Sequence, residues 1–223
     1  MASGYSDRER TTIRIAVVGA GGIGNAILPL LATLPLGKLS IIDGDRVELK
    51  NIERQPLFTA VDVGQFKAST LADRFRRTLI GCVVMAHDVF LDAQNAHDLL
   101  NEHDVVLEGV DDLHAKTLVD RVCLTSRIPL VSGGVHGQQG QVIVLHMPRA
   151  GEELTRAQLF SGPYGAEQDG CDMRDVPLAL LDEVGACMIA RVRDLLGGKP
   201  FVNGRMELLE SPGHPWMIIE PVS

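Results

Sequence analysis

IRIAVVGAGGIGNAILPLLATLPLGKLSIID, residues 13–43, is the stretch that decides the fold. Ile13–Val18 is a run of branched apolar residues ending at glycine, the pattern of a strand buried on both faces. Ile23–Leu34 then carries apolar residues at helical spacing, and Leu39–Ile42 reads as a second strand that ends at Asp43. Between strand and helix, GAGGIG fits G-x-G-x-x-G over Gly19–Gly24. Glycines there let the backbone approach phosphate, and a helix N-terminus offers free N–H groups with a partial positive charge. Asp43, nineteen residues beyond Gly24, stands where an acidic residue takes ribose hydroxyls in dinucleotide folds. These features predict a nucleotide, and NAD and ATP satisfy them equally.

Outward from this unit, apolar runs keep alternating with helical patterns. That predicts an α/β protein with a Rossmann-like, mostly parallel sheet flanked by helices. Gly64–Thr78 reads as helix, with Phe66, Leu71 and Phe75 on one side and charges opposite. Cys82–Ala86 and Val105–Leu107 read as strands, separated by a helix near Ala93–Leu100. A helix over Leu113–Thr125 follows, then strands at Pro129–Val131 and Gln141–His146, with Gly133, Gly134, Gly137 and Gly140 as turn signals between them. Pro148–Gly170 is polar and glycine-rich and reads as a long loop, a class of segment that is usually functional or mobile. Pro177–Leu196 returns to helix, with Gly197–Gly198 as its stop signal. Arg205–Leu209 and Trp216–Ile219 are candidate strands of an antiparallel extension in the C-terminal part. The expected organisation is a single domain over 1–223. It has a nucleotide-binding core at 13–148, a mobile crossover-type loop at 149–175, and a C-terminal helix and strands at 176–223.

Composition narrows the function classes. The 223 residues are 45% apolar, enough to bury a sizeable core. A net charge of −8 argues against a nucleic-acid partner, which would reward a basic face. No apolar stretch approaches membrane-spanning length, and MASGYSDRERTT lacks the apolar core of a signal peptide, so a soluble, cytoplasmic protein is expected. Four cysteines occur, Cys82, Cys123, Cys171 and Cys187, with no C-x-x-C spacing, so no zinc is expected. Cys82, Cys123 and Cys187 sit in apolar surroundings and are expected as buried, reduced thiols.

The segment after Asp43 separates the two nucleotides. DGDRVELKNIERQ places Asp45, Asn51, Arg54 and Gln55 beyond the carboxyl end of the second strand, where open α/β sheets bind ligands. Lys67 follows near the start of the next helix. A triphosphate needs cations about its β and γ groups, and Arg54 and Lys67 supply them, the first as a fork and the second as a point charge. Asp111 and Asp112 follow the strand ending near Leu107; paired carboxylates at such a place suit Mg²⁺ bridging phosphate oxygens. Asp112 equally suits a plain N-cap of the helix beginning at Leu113.

GAGGIG, IIDGDRVELKNIERQ, VGQFKA and EGVDD, in this order, resemble the ThiF/MoeB/HesA family of ubiquitin-activating-enzyme-like adenylyltransferases. The family pattern is G-x-G-G-x-G, D-x-D-x-V-x-x-x-N-x-x-R-Q, G-x-x-K-A and a T-D-N-like turn. The match runs over roughly Ile13 to Pro148, and PLVSGGVHGQQGQVIVL and VGACMIARVRDLLGG resemble later segments of the same family. The resemblance implies that Gly19, Gly21, Gly22 and Gly24 hold ATP and that Asp43 holds its ribose. Asp45 joins that site; Asn51, Arg54 and Lys67 bind the polyphosphate, with Gln55 supporting the loop. Asp111 organises Mg²⁺, directly or through water. It further implies that the C-terminal carboxylate of a small ubiquitin-like or sulfur-carrier protein, or of a peptide, attacks the α-phosphate. Pyrophosphate leaves and an acyl-adenylate remains, in a homodimer.

The chain departs from the pattern in several places. The zinc-binding cysteine pairs of many relatives are missing, so the resemblance is to a minimal version of the family. Relatives usually carry an arginine well upstream of the glycine loop that reaches into the partner subunit's site; Arg8 and Arg10 lie closer to the loop than that. Asp112 stands where asparagine is common and Lys116 where arginine is common. Cys171 matches a position where a cysteine carries sulfur or an acyl group in some members and is dispensable in others. Its simpler reading is an inert thiol, with Arg174 as the cation nearby in sequence. His114 and His136 lie near the expected site without an assigned role. Two other readings stay open: an NAD(P)-dependent oxidoreductase, which the glycine motif and Asp43 alone allow, and a non-catalytic nucleotide-binding module.

Overall fold

Ile13–Val18 (β1) alternates its side chains between two cores. Ile15 and Val17 pack into one, Ala16 and Val18 into the other, and the last four are at most 3% exposed. A strand buried on both faces must lie at the centre of a covered sheet. The computed structural model describes residues 12–160, 176–210 and 217–220. Leu36–Ile42 (β2), Val83–His87 (β3), Val105–Glu108 (β4) and Leu130–His136 (β5) continue the parallel part around β1. Gln139–Leu145 (β6), Met206–Glu210 (β7) and Met217–Ile219 (β8) extend it in antiparallel fashion. The order across the single eight-stranded sheet is β3-β2-β1-β4-β5-β6-β7-β8.

Helices cover both faces. Gly22–Leu31 (α1), Lys67–Thr78 (α2) and Leu178–Leu196 (α6) pack on one face; Ala96–Leu100 (α3), Leu113–Ser126 (α4) and Arg156–Phe160 (α5) pack on the other. The first connection leaves β1 toward β2, whereas the chain returns after β3 to place β4 on β1's other side. The crevice between these diverging connections opens above the carboxyl ends of β1 and β4. Among the described residues, no helix is long and apolar enough to cross a membrane.

The expected elements form, with shifted edges. The first helix stops at Leu31 and β2 begins at Leu36, three residues before the expected Leu39, because Ile13 and Arg14 extend the ladder down to Leu36 and Lys38. The strand expected at Pro129–Val131 runs on to His136 straight through Gly133 and Gly134, and a tight hairpin leads into β6. Gly133 serves there for close packing: a Cβ on it would lie 2.5 Å from Met188 Sδ of α6. Within the polar stretch read as a long loop after Pro148, α5 forms and buries Arg156 and Leu159. Cys123 and Cys187 are buried, but Cys82 is only half-buried, since it precedes β3 at the sheet's edge. Trp216 lies outside the described residues; β8 begins at Met217.

Candidate active site

One cavity of about 800 Å³ occupies the crevice. Its floor is the glycine loop. Gly19, Gly21 and Gly22 line it, whereas Gly24 is turned into the fold: a Cβ there would collide with the Gly19 carbonyl oxygen. Gly21 caps α1 without any side-chain hydrogen bond, so among the described residues no capping side chain takes the first N–H groups of the helix. Asp43 accepts the Ala20 N–H at 2.7 Å and, on its other oxygen, the Asp45 N–H at 2.7 Å. Burial pushes the Asp43 carboxyl up from its ordinary range; the Lys67 ammonium and those two N–H donors oppose the rise.

The second wall comes from residues 44–67. Asp45, Asn51, Arg54, Gln55 and Lys67 all line the cavity. Asn51 ends a single 3₁₀ turn, Leu49–Asn51, and its Oδ1 accepts the Glu48 N–H at 3.1 Å, which fixes the turn. The Lys67 side chain is 7% exposed and donates to Asp45 at 2.9 Å. Gln55 is buried, and its Oε1 has no hydrogen-bond partner among the described residues. A buried acceptor facing a cavity without a donor costs free energy that a donating ligand recovers.

Asn25 binds these two walls together. Its Nδ2 donates to the carbonyls of Ala20 and Gly21, each at 3.0 Å, while its Oδ1 accepts the Leu57 N–H at 2.9 Å. One buried amide therefore sets the spacing between the glycine loop and the segment carrying Arg54 and Gln55. In the sequence Asn25 is marked only as a lone amide in the first turn of an otherwise apolar helix.

The third wall follows β4. Asp111 is exposed and faces the cavity, while Asp112 N-caps α4 by accepting the Ala115 N–H at 2.6 Å. Below them lies a buried network that the sequence did not reveal. Glu108, fully buried, accepts the Val110 N–H at 2.8 Å, takes a hydrogen bond from Ser132, and pairs with Arg156 at 3.2 Å. Arg156 also donates to the Ser132 hydroxyl, and Lys116 stands 3.7 Å from Glu108 with its side chain 7% exposed. The carboxylate thereby fixes the loop that presents Asp111. His136 lines the cavity and His114 is exposed without lining it. Val89, Phe90 and Leu91 give one end of the cavity an apolar surface. Cys171 and Arg174, like Arg8 and Arg10, lie outside the described residues.

Among known proteins, the chain is 35% identical to an adenylyltransferase and sulfurtransferase MOCS3 of Caenorhabditis briggsae over 65% of this chain and 35% of that protein. The chain spans about a third of the length of the first curated relatives it matches. It is 33% identical to the sulfur carrier protein adenylyltransferase of Thermus thermophilus over 85% of this chain and 72% of that protein. The crystal structure of E. coli MccB with ATP shares the fold, at a TM-score of 0.76 and 18% identity, covering 96% of this chain and 65% of that one. The pattern that fits from residue 5 to residue 218 is that of the ThiF family, and the chain belongs to it.

Proposed function

We propose that this protein uses ATP to adenylate the C-terminal carboxylate of a small sulfur-carrier or ubiquitin-like protein, or of a peptide. The observation that carries the reading is the convergence of three charge types on one crevice: uncapped helix N–H groups at Gly21–Gly22, cations at Arg54 and Lys67, and a carboxylate at Asp111. A dinucleotide pyrophosphate is often held mainly by backbone; cations on the facing wall suit a longer polyphosphate.

In this reading the glycine loop takes the α-phosphate and Asp43 the ribose hydroxyls. Val89 and Phe90 offer an apolar face to the base. A carboxylate oxygen of the substrate forms a bond to the α-phosphorus while the bond to the β-bridging oxygen breaks. The electron pair leaves with pyrophosphate, and Arg54 and Lys67 neutralise the charge that accumulates there. No base is required, because the attacking carboxylate is already ionised at neutral pH. Mg²⁺ fits the donor set: one exposed carboxylate, Asp111, beside a polyphosphate is the arrangement this cation accepts, and bound there it would neutralise phosphate charge. Asp112 is the poorer ligand, since one of its oxygens is committed to the helix cap.

A homodimer and a cytoplasmic setting complete the reading, as does an acyl-accepting or inert role for Cys171. The relatives named as adenylyltransferases support the activity, and the Thermus relative supports a sulfur carrier as substrate. The test is exchange of labelled pyrophosphate into ATP with Mg²⁺ and candidate carriers. Carrier-dependent exchange that Arg54→Ala abolishes is expected. ATP binding without exchange for any carrier would favour the non-catalytic module, and NADH binding without ATP binding would favour the oxidoreductase.

A further inference from the structure

Among the described residues, the lysines and arginine that line the cavity are Lys50, Arg54, Lys67 and Lys116. Two of the lysines are committed. Lys67 is held by Asp45 and Lys116 stands beside Glu108, each with its ammonium stem almost wholly buried. Lys50 is of another kind. Its side chain is 77% exposed, and its ammonium pairs at 2.6 Å with Glu48, itself 56% exposed. The two flank Leu49 in the 3₁₀ turn that carries Asn51, one residue after Lys50, to the cavity wall. An exposed lysine–glutamate pair contributes little, so exchanging its carboxylate for another anion costs little. A polyphosphate with several charges attracts the ammonium more strongly than one carboxylate does, and the four-carbon stem lets it follow. Among the described residues Glu48 is the one ion-pair partner of this ammonium, and neither the turn, held by the Glu48 N–H to Asn51 Oδ1 hydrogen bond, nor either buried network uses it.

We propose that Lys50 is a polyphosphate ligand of this site, whose ammonium exchanges Glu48 for the β- and γ-phosphate oxygens of the nucleotide and stays with them as pyrophosphate leaves. This rests on the adenylation reading for its second half only; the first half concerns binding and is read separately. Lys50 then sets how much more tightly the site holds ATP and pyrophosphate than AMP, and Glu48 opposes it as an internal competitor.

The experiment is calorimetric binding of ATP, pyrophosphate and AMP to the full chain and its variants. Lys50→Ala is expected to weaken ATP and pyrophosphate about fivefold to tenfold and leave AMP unchanged. Lys50→Arg should restore most of the loss. Glu48→Gln should act in the opposite direction, tightening pyrophosphate about twofold by removing the competitor. A merely structural role for the ion pair would make Glu48→Gln and Lys50→Ala act alike. Equal weakening of ATP and AMP, no change in ATP, or like-signed effects of the two substitutions would overturn the proposal. Wild-type protein that binds ATP but never exchanges pyrophosphate would sink the adenylation reading instead, and the ATP-to-AMP ratio in Lys50→Ala would still decide the role of Lys50.

Discussion

Lys67 and Lys116 line the same cavity from opposite walls, equally buried and each beside a carboxylate, yet the two walls are built differently. The carboxylate beside Lys67 belongs to Asp45, whose side chain is 55% exposed; the one beside Lys116 belongs to Glu108, whose side chain is wholly buried and shared with Arg156 and Ser132. A pair with one partner in water can be rearranged by a ligand. A pair with both partners buried cannot, because separating them strands a charge away from water. The wall of residues 44–67 is therefore the exchangeable one, and the β4 wall is a frame. The largest effect expected from this difference is on stability. Glu108→Gln removes the buried carboxylate that Arg156 and Lys116 share and should cost about 3–5 kcal/mol in chemical denaturation. Asp45→Asn should cost about 1 kcal/mol or less. Equal losses would erase the distinction.

Much of the exchangeable wall is legible in the sequence and almost none of the frame is, for a physical reason. Gly19–Gly24 and the run from Asp43 to Gln55 are each continuous in sequence and lie at the ends of adjacent strands, so spacing alone lays them along one crevice. Glu108, Ser132 and Arg156 meet across 24 and 48 residues, through β4, β5 and α5, and only the folded topology brings them together. Arg156 was hidden further because its segment looks like polar loop; a five-residue helix carries too little periodicity to be recognised. The run of β5 beyond Val131 is hidden for a different reason. Gly133 and Gly134 resemble turn residues, but the absence of a side chain at Gly133 is used to admit Met188 of α6. Composition could not distinguish these two uses of glycine.

Asn25 joins the exchangeable wall to the glycine loop and offers the next largest effect. Asn25→Ala removes both donations to the loop carbonyls and leaves the Leu57 N–H without its acceptor. A loss of about 1–3 kcal/mol is expected in denaturation, together with a raised KM for ATP, because the spacing of Arg54 from the loop is no longer fixed. Unchanged KM with reduced stability would show that the clamp serves the fold alone.

Two buried histidines show the same contrast through pH. His103, hydrogen-bonded to Ser40 at 2.9 Å, has its pKa lowered to about 4, chiefly by burial. The unfolded chain binds that proton near pH 6.5, so stability from a neutral His103 is complete above 6.5 and is lost as pH falls toward 4. His146 is opposite in sign. Burial works to lower its pKa, but Asp120 at 2.9 Å and Glu153 at 3.2 Å outweigh it and the pKa is raised. Its contribution is complete below pH 6.5 and lost as pH rises through the raised value. Denaturation midpoints between pH 4 and 9 should therefore flatten at the acid side in His103→Gln and at the alkaline side in His146→Gln. Of the two carboxylates on His146, Asp120 is buried and Glu153 is 58% exposed, so Asp120→Asn should cost more than Glu153→Gln.

The smallest effect separates neighbours. Asp111 and Asp112 are adjacent and both exposed, but only Asp112 is tied into α4, through the Ala115 N–H. Asp112→Ala removes a helix cap and should cost about 1 kcal/mol, with the Mg²⁺ dependence of pyrophosphate exchange unchanged. Asp111→Ala should leave the denaturation midpoint within about 0.5 kcal/mol of wild type and shift the Mg²⁺ dependence to higher concentration. Measuring both quantities on both variants asks whether chemistry and folding are divided between two consecutive carboxylates. If Asp112→Ala shifts the Mg²⁺ curve as far as Asp111→Ala does, the cap geometry and the metal position are one feature, and the β4 wall is less of a fixed frame than its buried ion pairs require.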